Sequence, residues 1–355
     1  MSNINELTTA KSEIKTALEN KGCVIDVGMI GYGDKIRGIR LLDDVNSVVD
    51  FKSWMTFEGS TASDTSLYEM FNKVYDTGPY GGRYDFHRLF YGCENLITSP
   101  SLLGKDDVKP CDCGWMFYGC KNLITAPDMD TSMCCDFARM FDGCSSLTSV
   151  PKYTMRCKPS DNNGISVAGM FNGCSSLTSV PNFDLSYVQF ASSMFNGCSS
   201  LTSVSLSNTQ NIGYMDSMFY GCSSLTTIPQ INTSGCTDMK NMFYGCSSLT
   251  TIPELNCEQV MDMRYTFYGC TNLTTLGGFK NIGSKSWSLT SYGNIFLDLS
   301  SSPNLSRESV LNVFNKLYDR NSMETLTIKL HEYVFMTLYT TDIAIATKKG
   351  WIVSS

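Results

Sequence analysis

Catalysis needs side chains that ionise or attack, and this 355-residue chain offers few of them. It has two histidines, His87 and His331, far apart in the sequence. A Ser–His or Cys–His nucleophile pair therefore has little material, and each histidine reads as a surface or structural residue. Glycine recurs directly before cysteine, not in a phosphate-cradling Gly-x-x-x-x-Gly-Lys-(Ser/Thr) loop. The one cluster of metal-ligand types is Cys111-x-Cys113 with Cys134-Cys135. Four thiolates could hold zinc, but the spacing is not the Cys-x-x-Cys of a zinc ribbon. Cys113 and Cys134 also coincide with apolar positions of the repeat described next, so they read as core. Asp106-Asp107 sit beside Gly104 and Lys105 in a lengthened loop and read as a solvated turn. No ordered set of oxygen ligands for calcium is present. The expectation is a chain that is not an enzyme, with no catalytic, cofactor-binding or metal residues.

What the cysteines do instead is keep time. Phe-x-Gly-Cys recurs eight times, at Cys93, Cys120, Cys144, Cys174, Cys198, Cys222, Cys246 and Cys270, each with a Leu three residues later. Five of the seven intervals are 24 residues; the other two are 27 and 30. A fixed period of this length marks a repeat array. With each Cys as offset zero, apolar residues fall at −10, −7, −4, −3, +3 and +6. The first four have helical spacing and predict a short helix or helical turn with one buried stripe. Leu201-x-x-Val204-x-Leu206 has the spacing of a leucine-rich repeat strand. The Gly at −1 predicts a positive φ or a close backbone approach. The prolines that follow the strand (Pro127, Pro151, Pro181, Pro229 and Pro253) predict that it is short. One such unit buries too little to fold alone, so the units must stack, and the stack must be capped.

Stacking turns each offset into a column. The cysteines at offset zero become small buried residues, and free thiols are expected throughout, because equivalent side chains on successive rungs point in parallel. Offset −2 carries Tyr91, Tyr118, Asp142, Asn172, Asn196, Tyr220, Tyr244 and Tyr268: two tyrosine ladders around an Asp/Asn stretch. Tyrosine supplies contact area at low entropic cost, and its ring can stack on sugars. Offset +5 carries Ser149, Ser179, Ser203, Thr227, Thr251 and Thr275, an outward hydroxyl ladder. The longest interval adds six residues around Lys152 to Gly164, with Arg156 and Lys158, which suits a partner-specific protrusion. The candidate binding residues are thus Tyr91, Tyr118, Tyr220, Tyr244, Tyr268, Ser179, Ser203, Thr227, Thr251, Lys152, Arg156 and Lys158.

Three parts are expected: a helical N-terminal attachment segment (1–42), the repeats (43–303) and an α/β cap (304–355). In the first, Leu7, Ile14, Ala17 and Leu18 make one apolar face. In the last, Ser306 with Glu308 starts a helix, Thr325 to Leu330 alternates as a strand, Thr341 to Lys349 is a helix, and Trp351 to Val353 is a closing strand. The formal net charge is −7, with no basic stripe, so no nucleic-acid partner is expected. No run of 18 apolar residues exists to insert in a membrane. Met1 to Gly22 lacks an apolar signal-peptide core, so the chain is expected to stay where it is made or to leave by lysis.

The phrase Met-Phe-x-Gly-Cys-Ser-Ser-Leu-Thr-(Ser/Thr)-(Val/Ile)-Pro, as at Met242 to Pro253, resembles the BspA-like leucine-rich repeat surface proteins over roughly residues 85–300. Ile343-Ala-Ile-Ala-Thr-Lys-Lys-Gly-Trp351 is similar to the C-terminal segment often joined to such repeats. The opening, with Ala10-Lys-Ser-Glu-Ile-Lys and Gly33-Asp-Lys-Ile36, is similar to N-terminal segments of virion and tail proteins from phages of gut bacteria. The resemblance implies an α/β leucine-rich repeat solenoid with a parallel sheet on its concave face, and adhesion or recognition as its work. The expected function is a non-enzymatic virion protein (tail, fibre or head-associated) that is assembled in the host cytoplasm. Its N-terminal helices would bind other virion proteins, and its repeats a host-surface protein or glycan; a homo-oligomer is also compatible. The other reading is a bacterial cell-surface adhesin or an intracellular interaction scaffold.

Overall fold

The computed structural model describes residues 84–88, 90–92, 94, 96–98, 110–156, 164–285 and 295–355. The N-terminal segment, the aspartates at 106 and 107, and Lys158 lie outside them. The described residues between Tyr84 and Lys280 form a stack of repeats, each hydrogen-bonded to the next.

The segment from −7 to 0 is not a helix. It is three overlapping turns, and its N–H groups alternate between two kinds of partner. In the rung ending at Cys198, the N–H of Met194 bonds Ala191 O, that of Asn196 bonds Ser193 O, and that of Cys198 bonds Phe195 O. The N–H groups between them cross to the next rung: Ala191 to Tyr214 O, Ser193 to Asp216 O, Phe195 to Met218 O and Gly197 to Tyr220 O. A helix would keep every one of these bonds to itself and leave the rungs unconnected. Two left-handed residues per rung make the alternation possible: the glycine at −1 and the residue at −5. The latter is Arg88, Trp115, Arg139, Gly169, Ser193, Ser217, Asn241 or Tyr265, with φ between 54° and 63°. Apolar spacing of three and four is shared by a helix and by consecutive turns, which is why the pattern alone suggests a helix.

Both reasons anticipated for the glycine at −1 hold. Gly197 has φ 73°, and a Cβ built on it would sit 3.6 Å from the Gly173 Cα one rung away. The strands are shorter than a leucine-rich repeat sheet implies, two or three residues each in the repeats. One parallel ladder follows offset −8 from Asp136 through Ser166, Phe190, Tyr214 and Asp238 to Asp262. Another follows offset +5 at Thr98, Thr125 and Ser149, and again at Thr227, Thr251 and Thr275. The described residues therefore form a mixed α/β fold of short parallel pairs, without one continuous concave sheet in the repeats.

The core is a set of columns. Phe90, Phe117, Phe141, Phe171, Phe195, Phe219, Phe243 and Phe267 stack ring on ring, with successive centroids 5.1–5.7 Å apart. Beside them, each thiol at offset zero donates to the phenylalanine carbonyl of the rung before. Cys198 Sγ lies 3.1 Å from Phe171 O, and the same bond recurs from Cys120 to Cys270. Burial pushes the Cys198 and Cys270 thiols up to about 12. Twelve described cysteines are free thiols. The remaining described cysteine, Cys135, is disulfide-bonded, which corrects the expectation of free thiols throughout.

The Ser-Ser-Leu-Thr that follows five of the eight cysteines, from Cys144 to Cys246, is equally legible. The Oγ of Ser199 (+1) and the N–H of Ser200 (+2) both reach Ser175 O, Leu201 (+3) is buried, and both the N–H and Oγ1 of Thr202 (+4) reach Thr178 O.

At the other end, β1 (Ile295–Leu299), β2 (Leu326–Leu330) and β3 (Trp351–Ser354) form a parallel three-stranded sheet with helices α1 (Arg307–Lys316), α2 (Glu332–Met336) and α3 (Thr340–Thr347). Ser306 caps α1 as its sequence suggests, whereas α3 starts one residue earlier than expected, from Tyr339. The carbonyl of Thr274, which elsewhere in its column would meet the next threonine, receives instead the Ser306 N–H and the Ser309 hydroxyl.

Candidate recognition surface

The two histidines have different surroundings. His331 caps α2, its Nδ1 accepting from the Tyr333 N–H at 3.2 Å. His87 Nδ1 lies 3.5 Å from Asp112 Oδ1 on the adjacent rung. Cys113 and Cys134 are buried, and Cys134 Sγ donates to Asp136 O. Among the described residues no three His, Cys, Asp or Glu side chains converge as a metal site. No described helix is long and apolar enough to cross a membrane.

The surface that varies is built on offsets −2 and −5. In the turn between them the residue at −4 (Met from Met116 to Met242) and the Phe at −3 take the inward positions, which leaves −2 and −5 exposed or half-buried except at Asp142 and Gly169, which are buried. In the first zone Tyr91 and Tyr118 stack at 4.8 Å with ring planes 6° apart. Trp115 leans on Tyr118 at 5.0 Å and lies between two guanidinium groups, Arg88 at 5.5 Å and Arg139 at 4.9 Å. All three of those residues occupy offset −5. In the last zone Tyr220, Tyr244 and Tyr268 stack at 4.6 and 4.9 Å, and Tyr265 meets Tyr268 edge-on. Between the zones the same columns hold Asp142, Gly169, Asn172, Ser193, Asn196 and Ser217. Asp142 is tied down there: Arg139 Nη1 and Asn172 Nδ2 donate to its two oxygens at 2.9 and 2.8 Å. Burial nevertheless raises its carboxyl above the usual range, against the pull of Asn172 and Arg139.

The candidate hydroxyls at offset +5 separate into two groups. Ser179, Ser203 and Thr227 are exposed, while Thr251 is half-buried. None of these four side chains makes a hydrogen bond among the described residues; the hydroxyl ladder that stabilises the stack is the neighbouring one at +4. Arg156 is not a free protrusion. It pairs with Asp184 at 2.9 Å, and the Asn208 amide, with help from Arg156, holds the Asp184 carboxyl down at about 2. Lys152 is exposed on the same segment. The sequence alone misses offset −5, because Arg, Trp, Ser and Tyr carry no signal for a left-handed backbone; only the recurrence of one offset between Cys and Met could have drawn attention to it.

Residues 165–278 match the family model described as "Mycoplasma protein of unknown function, DUF285". Among solved structures, a leucine-rich repeat protein from Bacteroides ovatus is similar, with 15% identity, over 77% of this chain and 87% of that one, at a TM-score of 0.24. No curated protein matches.

Proposed function

We propose that the chain is a non-catalytic recognition scaffold, a solenoid of the leucine-rich repeat kind. Its buried columns fix the spacing, and its exposed columns carry what is recognised. One observation carries this reading. The core columns are nearly invariant along the stack, Phe at −3 and Cys at zero, while −2 and −5 change from aromatic to small and polar and back. Uniform packing could have been kept on the outside as well; a surface that departs from it in zones is shaped for a ligand. The test is attachment of the labelled full chain to intact bacterial cells. A variant with Tyr220, Tyr244 and Tyr268 all changed to Ser should lose attachment at unchanged thermal stability. Equal attachment of both proteins overturns the reading.

The finer placement is in a phage particle, with residues 1–42 as the attachment segment. It rests on the similarity of the opening to virion proteins. Mass spectrometry of gradient-purified particles should find the chain in stoichiometric amount, and deleting residues 1–42 should prevent its incorporation. A truncated chain that still enters particles refutes this division of labour. Particles without the chain, with the chain on the cell surface or in the cytosol, leave the adhesin or scaffold.

A further inference from the structure

A stacked ring hides both of its faces unless it ends its column. Tyr244 lies between Tyr220 and Tyr268 and has neither face open. Tyr220 is an end. On the rung before it, offset −2 is Asn196 and offset −5 is Ser193, side chains too short to cover the outer half of a phenol ring. The ring of Tyr220 therefore forms a wall, and the rung below it, with Asn196 and Ser193, forms a floor; on the rung beyond, Gly169 is buried against the Arg139 side chain and Asn172 donates to Asp142. The facing end of the other column is not equivalent, because Arg139 reaches back over Trp115 and pairs with Asp142.

The polar groups around this step are unengaged. The side chains of Ser193, Asn196 and Ser217 make no hydrogen bond among the described residues, although the backbone of each is fixed in the rung ladders. Their positions are thus rigid while their donors and acceptors stay available. The acid beside them, Asp216, is engaged by the Ser192 hydroxyl. What remains is one apolar ring face, one carboxamide and two hydroxyls, all neutral, each polar group able both to donate and to accept. A pyranose is the complement: a C–H face for the ring, and a rim of hydroxyls that need donors and acceptors together. A protein partner would want a desolvated pocket for an aromatic or arginine anchor, and a single wall over a polar floor is not one. We infer that the step at Tyr220, with Asn196, Ser193 and Ser217, is a docking site for a neutral glycan. This names the ligand class of the recognition surface proposed above and rests on that proposal.

The experiment is binding of the full chain to an array of neutral oligosaccharides of two to six sugars, followed by titration of the best probe. Tyr220→Ala and Asn196→Ala should each weaken binding at least tenfold. Tyr220→Phe, which keeps the face, should stay within threefold, and Tyr91→Ala, in the other column, should bind like the wild type. Attachment to cells before and after periodate oxidation of their glycans separates the two claims. Attachment that needs the tyrosine column but survives periodate, with no neutral glycan bound, refutes the glycan and retains the recognition surface. No glycan binding and no attachment that depends on the column refutes both. Equal loss from Tyr220→Phe and Tyr220→Ala, or from Tyr91→Ala, overturns the role given to the ring face at this step.

Discussion

In the repeats, nearly every N–H from −7 to zero is answered by another backbone group, half on its own rung and half on the next. In the C-terminal unit the decisive donors are charged side chains. Lys349 Nζ reaches the carbonyls of Phe314, Asn315 and Leu317, the open end of α1. Arg307 grips Asp342 with two bonds and lies over the Tyr339 ring. Arg320, fully buried, donates to the carbonyls of Glu324 and Gly283. The difference teaches what periodicity supplies. A repeat always finds an identical neighbour whose carbonyls are in register. The unit that ends the stack has no such neighbour and must satisfy unmatched carbonyls with long cations.

The largest effects should come from each region's own device. Phe195→Ala opens a gap between Phe171 and Phe219 in the continuous ring column, and loss of a buried Phe costs about 3–5 kcal/mol. Because rungs contact only their neighbours, hydrogen exchange should rise first in the rungs of Cys174, Cys198 and Cys222 and leave β2 protected. Uniform loss of protection from the repeats to β2 would show that stack and cap unfold as one unit. Arg320→Ala strips donors from the buried Gly283 carbonyl and the partly buried Glu324 carbonyl, at about 1–3 kcal/mol per buried group left unpaired. Its exchange should rise in β2 and β3 and leave the central rungs untouched.

A smaller effect tests the thiol column. Phe171 O accepts both the Cys174 N–H of its own rung and the Cys198 thiol of the next. Cys198→Ala removes one of these two bonds together with the sulfur, for a loss of about 1–2 kcal/mol by denaturant unfolding. An unchanged midpoint would make the sulfur a space filler and its bond immaterial.

Legibility in the sequence follows the same division. Repetition exposes what repeats: Phe at −3, Cys at zero, Leu at +3 and the left-handed glycine are all readable, because each is a packing or backbone demand made eight times over. The interrupted helix is not readable, since its apolar spacing also fits consecutive turns and the left-handed position at −5 accepts Arg, Trp, Ser, Asn or Tyr. In the cap, Ser306, Leu326 and Trp351 announce their elements by local signals, but Arg320 and Lys349 look like ordinary surface cations until the carbonyls they serve are in place. The step at Tyr220 is invisible for a related reason. A tyrosine list shows where rings are; only their stacking shows which one has an open face.

Acid should pull the two regions in opposite directions, by the smallest amounts. In the cap, the Asp342 carboxyl is held below its usual 3.8 first by Arg307 and then by the Tyr339 N–H. A lowered folded value means that its stabilisation is complete above about pH 4 and is lost as the pH falls further. In the stack, burial chiefly raises the carboxyls of Asp136, Asp142 and Asp238 above 3.8. A raised folded value means that these groups cost stability at neutral pH and that protonation relieves the cost as the pH falls toward 4. Asp184, held at about 2, stays ionised across this window and keeps its bond to Arg156. Hydrogen exchange at pH 6, 4.5 and 3, corrected for intrinsic rates, should therefore show the rungs of Asp142 and Asp238 equally or better protected at pH 4.5 than at pH 6. At pH 3, α3 and the start of α1 should open first. Opening of the rungs before α3 would mean that the stack depends on its carboxylates after all, and that the contrast between backbone-satisfied repeats and a charge-satisfied cap is drawn in the wrong place.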